Sequence, residues 1–263
     1  MCGIVGAVAE RNVTPVLIEG LQRLEYRGYD SAGVALVQAD GEVQRRREVG
    51  KVVNLSNNLD AEPLTGSLGI AHTRWATHGS VQQTNTHPHM SGDDLALVHN
   101  GIIENHLELK SFLVNQGYQL ISETDSEVIG HLLDYFLSQG SNILDAIYLT
   151  KEKLDGAYAI AILDIEDDEN IYIARSKAPL LIGKGDKENF AASDPLAVGK
   201  LANEFIFLEY GYVAVISKKI IQIYYDKKQP IQRKATEIDP EHQTTSKGEY
   251  RHFMEKEIYE QPQ

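Results

Sequence analysis

Five short apolar stretches in the second half of the chain limit the fold more than any other feature. They are Ala157–Leu163, Asn170–Ala174, Glu204–Leu208, Gly211–Ile216 and Ile220–Tyr225, and polar turns punctuate them. Strands so closely spaced pair antiparallel, because parallel neighbours need a crossover of a dozen residues or more. Residues 3–9 add an apolar, β-tolerant run that reads as a buried strand. Ala32–Val37 and Val43–Glu48, split by Asp40-Gly41, read as a hairpin, and Ser67–His72 and Leu95–His99 are further strands.

Helical spacing governs the rest. Thr14-Pro15 reads as an N-cap followed by proline at the first helical position. Leu17, Ile18, Leu21 and Leu24 then form one apolar face, ending near Gly28. A helix is expected over about 103–116, closed by Gly117. Thr124-x-x-Glu127 reads as a capping box, with Val128, Leu132, Leu133 and Phe136 behind it. Another helix is expected over about 142–154. Helical blocks mixed with many short strands favour an α/β (α+β) layered sandwich with antiparallel sheets over a doubly wound parallel fold.

Composition narrows the function. A net charge of −13 opposes binding to nucleic acid or to an anionic membrane. The single cysteine excludes an internal disulfide and suits a reducing, cytoplasmic setting. There is no apolar run long enough to span a membrane.

That cysteine is Cys2, directly behind Met1. Removal of Met1 would leave a thiol and a free α-amine on one residue, and an α-amine titrates near pH 8, within reach of a general base. The alternative is a small buried cysteine at the start of a strand. Six of the nine histidines lie between His72 and His106. His87-x-His89 can chelate, yet the thiolates and the His-Glu helix motif that accompany zinc are missing. Arg74 and Asp125 suit the carboxylate and ammonium of a free amino acid, or are a surface charge and a helix-start carboxylate. Asn100-Gly101 is first a type I′ hairpin signal, and secondly a pair of oxyanion donors. Trp75, the only tryptophan, is a core anchor or a lid. Tyr26-Arg27-Gly28-Tyr29-Asp30 is a helix-ending turn, or a support in which Arg27 and Asp30 fix the N-terminal strand.

Five runs in order carry a resemblance: Met1-Cys-Gly-Ile-Val-Gly6, Leu24-Glu-Tyr-Arg-Gly-Tyr-Asp-Ser-Ala-Gly33, Ala71-His-Thr-Arg-Trp-Ala-Thr-His78, Val98-His-Asn-Gly-Ile-Ile-Glu-Asn105 and Ser122-Glu-Thr-Asp125. Together they resemble the glutaminase domain of the glutamine–fructose-6-phosphate aminotransferases (isomerizing), class II glutamine amidotransferases with an N-terminal nucleophile. Tyr250–Pro262 is similar to that family's link into its isomerase half. The resemblance implies an N-terminal-nucleophile hydrolase fold, a four-layer α/β/β/α sandwich, with the glutaminase domain over 1–225 and an extension and linker over 226–263. It implies L-glutamine as substrate, no cofactor and no metal. Cys2 is then the nucleophile, and Asn100 and Gly101 form the oxyanion hole. Arg74, Thr77, His78, His87 and Asp125 line the glutamine site, and Trp75 gates ammonia. The full-length enzyme would use that ammonia to make glucosamine 6-phosphate from fructose 6-phosphate, for hexosamine synthesis, as a homodimer whose isomerase domain lies on the same polypeptide. A relative feeding another acceptor, an amino-acid sensor, a peptidase and a metal hydrolase are the rivals.

Overall fold

The computed structural model describes residues 2–225 and 229–238. In chain order, its first half holds β1 (Gly3–Val8), α1 (Thr14–Leu24), β2 (Ser31–Val37), β3 (Val43–Val49), α2 (Val52–Ala61) and β4 (Leu68–Arg74). There follow β5 (His89–Ser91), β6 (Leu95–Ile103), α3 (His106–Asn115), α4 (Glu127–Ser138) and α5 (Ile143–Lys153). The remainder is β7 (Gly156–Asp164), β8 (Asp167–Ser176), β9 (Leu181–Lys184), β10 (Asn189–Ala192), β11 (Glu204–Phe207), β12 (Val213–Ile216) and β13 (Ile221–Tyr224). Two short strands, β14 (Pro230–Ile231) and β15 (Thr236–Glu237), extend the sheet edges.

The strands form two sheets, ordered β15-β11-β9-β10-β1-β4-β2-β3 and β14-β13-β12-β8-β7-β6-β5, and the described pairings are antiparallel. Three apolar layers explain the stacking. Ile4, Val8, Ile70, Val98, Ala161 and Ile173 fill the space between the sheets. Leu17, Leu21 and Leu55 bring α1 and α2 onto the outer face of the first sheet, against Phe190 and Phe205. Leu113, Ile129, Leu133 and Ile147 bring α3, α4 and α5 onto the second, against Ile160 and Ile162. The order is therefore helix, sheet, sheet, helix, the expected four-layer sandwich. It explains why β1 is apolar throughout: Ile4 and Val8 face one core while Val5 and Ala7 face the other.

Four local expectations need correction. Thr14 is the first helical residue and not its cap. Asn12 Oδ1 takes the Thr14 amide at 3.2 Å, and the Thr14 hydroxyl donates to Leu64 O at 2.8 Å. The helix expected from 103 begins at His106, because β6 runs on to Ile103. For the same reason Asn100-Gly101 is no hairpin turn. A type I′ turn needs positive φ at both central residues, and here only Gly101 has it. Nine register pairs with β7, from Leu95↔Asp164 to Ile103↔Gly156, carry the strand straight through. The capping box does not form either. Ser126 precedes α4, Thr124 Oγ1 is spent on Ser122 and His89, and Glu127 reaches back to the amides of Ile121 and Ser122.

Candidate active site

Cys2 stands one residue ahead of β1, in the middle of the first sheet. The pairing Gly3↔Thr73 brings it beside the end of β4, where Arg74 and Trp75 follow. The Trp75 amide donates to Cys2 Sγ at 3.2 Å, and Sγ lies 3.5 Å from Trp75 O. Burial pushes the thiol above its ordinary pKa, against the opposing pull of the Trp75 amide. The sulfur is thus a thiol that needs a base, not a standing thiolate. Met1 lies outside the described residues.

The second sheet supplies the facing group. Asn100 on β6 donates from Nδ2 to the Cys2 carbonyl at 3.2 Å, which uses one of its two N–H bonds. Gly101 follows with φ of +138°. A Cβ there would sit 1.9 Å from Ala157 O on β7, so the position admits only glycine.

A cavity of about 20 Å³ lies between the sheet ends, lined by Cys2, Arg74, Trp75, Thr77, His78, His87, His99, Gly101, Thr124, Asp125 and Ser126. Every expected nucleophile, donor and glutamine-site position except Asn100 is on that wall, and Asn100 reaches it through Cys2. Asp125 is 3% exposed and accepts the Ile103 amide at 2.8 Å, with Ser126 Oγ 3.5 Å from its other oxygen. Arg74 is 3% exposed. It donates to Ser80 O at 3.1 Å, to Gly79 O at 3.3 Å and to His78 O, and so folds the 75–80 loop over the site. Trp75 stands out from the rim, 45% exposed.

Arg27 and Asp30 brace this wall. Asp30 Oδ2 takes the Ala76 amide at 2.9 Å, and the Asp30 amide donates to Arg74 O at 3.0 Å. Arg27 pairs with Asp194 Oδ2 at 2.6 Å, beside Ser193, whose Oγ accepts the Ile4 amide at 3.1 Å. Arg47 and Arg45 on β3 donate to Thr86 O and Pro88 O, at 2.9 and 3.0 Å, and hold the segment that carries His87.

Several participants escaped the sequence reading. Glu123 Oε2 takes the Ser80 amide at 2.9 Å and Asn85 Nδ2 at 2.8 Å, which latches the loop that Arg74 folds. Its carboxyl is held below the ordinary range, chiefly by the Ser80 amide and hydroxyl. Asp194 lies far along the chain from Arg27, and no local pattern links the two. His72 and Glu123 sat inside motifs already quoted, without a chemical reason to single them out.

A sequence profile described as a glutamine amidotransferase domain matches residues 72–199. The chain is 50% identical over 262 residues to a glutamine–fructose-6-phosphate aminotransferase (isomerizing) of Vibrio parahaemolyticus, covering all of this chain and 43% of that protein. The corresponding protein of Shewanella oneidensis is 51% identical over the same length. The chain carries a glutamine amidotransferase domain. It spans less than half the length of these curated relatives. Among solved structures, the amidotransferase domain is similar to the glutamine phosphoribosylpyrophosphate amidotransferase of B. subtilis, with a TM-score of 0.73 and 25% identity over 87% of this chain and 50% of that one. An allosteric regulatory enzyme of purine biosynthesis gives 0.75 and 26%, with the same coverage. Among the described residues of the domain, no helix is long and apolar enough to cross a membrane.

Proposed function

We propose that this domain hydrolyses L-glutamine to L-glutamate and ammonia through a γ-glutamyl thioester on Cys2. One observation carries the reading: two sheets deliver Cys2 and the Asn100 carboxamide to the same point, where Nδ2 lies 3.2 Å from the Cys2 carbonyl. With Met1 removed, the Cys2 α-amine takes the thiol proton through a water, and Sγ bonds to the glutamine carboxamide carbon. Asn100 Nδ2–H and the Gly101 amide stabilise the oxyanion that develops. The carbon–nitrogen bond breaks as the amine returns its proton to the leaving ammonia. Water, deprotonated by the same amine, then splits the thioester to glutamate and the free thiol.

Arg74 takes the substrate carboxylate and Asp125 its ammonium, with Thr77, His78 and His87 closing the sides. A 20 Å³ cavity holds roughly one water, so glutamine enters by displacing the 75–80 loop from its Glu123 latch. The relatives support fructose 6-phosphate as the acceptor: identity is 50% to a fructose-6-phosphate aminotransferase, against 25% to a phosphoribosylpyrophosphate enzyme. In the whole protein, ammonia passes Trp75 to an isomerase domain that the 226–263 linker leads into, and fructose 6-phosphate becomes glucosamine 6-phosphate. That protein is a cytoplasmic homodimer. Residues 226–228 and 239–263, the Tyr250–Pro262 motif among them, lie outside the described residues.

The test is glutamate release by protein whose first residue is confirmed as cysteine, with and without Cys2→Ala. A glutamine affinity label should modify Cys2 alone, and the variant should release no glutamate. Release undiminished in Cys2→Ala refutes the reading.

A further inference from the structure

His72 lies at the centre of β4, opposite Ile4 on β1 and Gly33 on β2, and is fully buried. Its ring crosses to the second sheet, where Nε2 lies 3.0 Å from His99 O and 3.0 Å from Asn100 Oδ1. A main-chain carbonyl oxygen only accepts, so Nε2 carries a hydrogen. The ring is neutral as well: burial pulls its pKa down to about 3, with His99 and Arg74 adding to the fall. A neutral imidazole has one hydrogen, which leaves Nδ1 bare, and among the described residues Nδ1 has no hydrogen-bond partner.

We infer that His72 is a positioning residue that sets which way the Asn100 carboxamide faces, an inference that rests on Asn100 being the oxyanion donor. A donor at Nε2 can meet only the amide oxygen, so Nδ2 must point the other way, toward Cys2. A carboxamide turned by 180° would set its nitrogen against the imidazole N–H and its oxygen against the Cys2 carbonyl. It would also aim oxygen lone pairs at the developing negative charge. Without the imidazole donor, the contact with the Cys2 carbonyl is the one hydrogen bond of that carboxamide, among the described residues, left to resist the turn. The energetics favour this role over simple packing. A buried histidine with an unpartnered nitrogen is costlier than an apolar side chain of similar volume, so filling space does not account for it.

The experiment compares His72→Met and His72→Gln, alone and with Asn100→Ala, in protein whose first residue is confirmed as cysteine. Methionine fills the volume without a donor, whereas the glutamine Nε2–H reaches the place of the imidazole N–H. His72→Met should lower kcat for glutamate release by about tenfold, the worth of one buried hydrogen bond. KM for glutamine and the rate of Cys2 alkylation by iodoacetamide, which needs no oxyanion hole, should stay within about twofold. His72→Gln should restore most of kcat. In the Asn100→Ala background His72→Met should add almost nothing, because the group it positions is gone. On the unaltered protein, ¹⁵N NMR of the His72 ring should report the Nε2–H form across neutral pH, a readout independent of whether any variant folds.

An Nδ1–H tautomer overturns the inference. So does a His72→Met kcat equal to that of the unaltered protein, or a full multiplicative loss on top of Asn100→Ala. Asn100→Ala turning over normally would refute the oxyanion reading itself. A large loss in Asn100→Ala with none in His72→Met would refute only the role of His72.

Discussion

Gly101→Ala is the sharpest single perturbation of this site, because the structure gives it two separable costs. The first is backbone: at φ of +138° an alanine is strained by about 1–3 kcal/mol. The second is steric. The new Cβ would lie 1.9 Å from Ala157 O and 2.8 Å from Tyr158 Cα, against roughly 3.3 Å for an ordinary carbon–oxygen approach. Both neighbours are main chain of β7, so no rotamer change relieves the clash and the two strands must part by more than an ångström. Overpacking of this kind costs about 1–3 kcal/mol, for a total of about 2–6 kcal/mol. Gly117→Ala is the control: φ is +94°, nothing lies within 4 Å of its Cβ, and only the backbone cost of about 1–2 kcal/mol remains. Urea unfolding of both variants isolates the steric part by difference. The same displacement carries the Gly101 amide away from the oxyanion, so kcat should fall on the order of a hundredfold, about 3 kcal/mol. If Gly101→Ala unfolds no more easily than Gly117→Ala, or if it folds and keeps its kcat within about threefold, the geometry argued here is wrong.

Two further outcomes concern stability. Burial opposes ionisation of Glu127, yet the His131 ring 3.5 Å away and bonds from the Ile121 amide and Ser122 hold its carboxyl at about 2, below the unfolded value of roughly 4.3. Its contribution is therefore complete above the unfolded value and is lost as pH falls toward 2. Glu127→Gln should cost about 1–3 kcal/mol at pH 7, and the gap from the unaltered protein should narrow on acidification in urea titrations. A gap that widens toward acid would contradict the assignment. Asp194→Ala removes the carboxylate that pairs with the Arg27 guanidinium, whose side chain is only 11% exposed, and should destabilise by about 2 kcal/mol; a thermal scan showing no change in Tm would refute it.

What the sequence made legible follows burial. β1 was readable because helices cover one face and the second sheet the other, so an unbroken apolar run was the only solution. β7, β8 and β12 were readable for the same reason. β9 and β10 were not: each has four residues, and Gly185 and the left-handed Lys187 break the apolar run between them. α2 escaped because Val52, Leu55 and Leu59 are separated by Asn and Ser, which locally favour turns. Asn100-Gly101 misled for a different reason. Its turn chemistry is real, but a nine-residue ladder outweighs a two-residue preference.

The site divides along the same line. Its chemical groups sat in short motifs and were found there, whereas the groups that aim them depend on pairings no local pattern contains. Arg27 meets Asp194, Glu123 meets Asn85 and Ser80, and His72 meets Asn100 only after both sheets have formed. The nucleophile rides on the first sheet and the carboxamide on the second, so their 3.2 Å contact is set by how closely the sheets approach. Ile4, Ile70, Val98, Ala159 and Ala161 set that approach, two of them within two residues of Cys2 or Asn100. A close-packed interior transmits strain, so a larger side chain at Ala159, the register partner of Asn100, would move the donor before it unfolds the domain. An Ala159→Val variant that loses about 1–3 kcal/mol of stability and proportionally far more of its kcat is the expected result. Equal loss in both would mean that the inter-sheet core supports the fold without tuning the site.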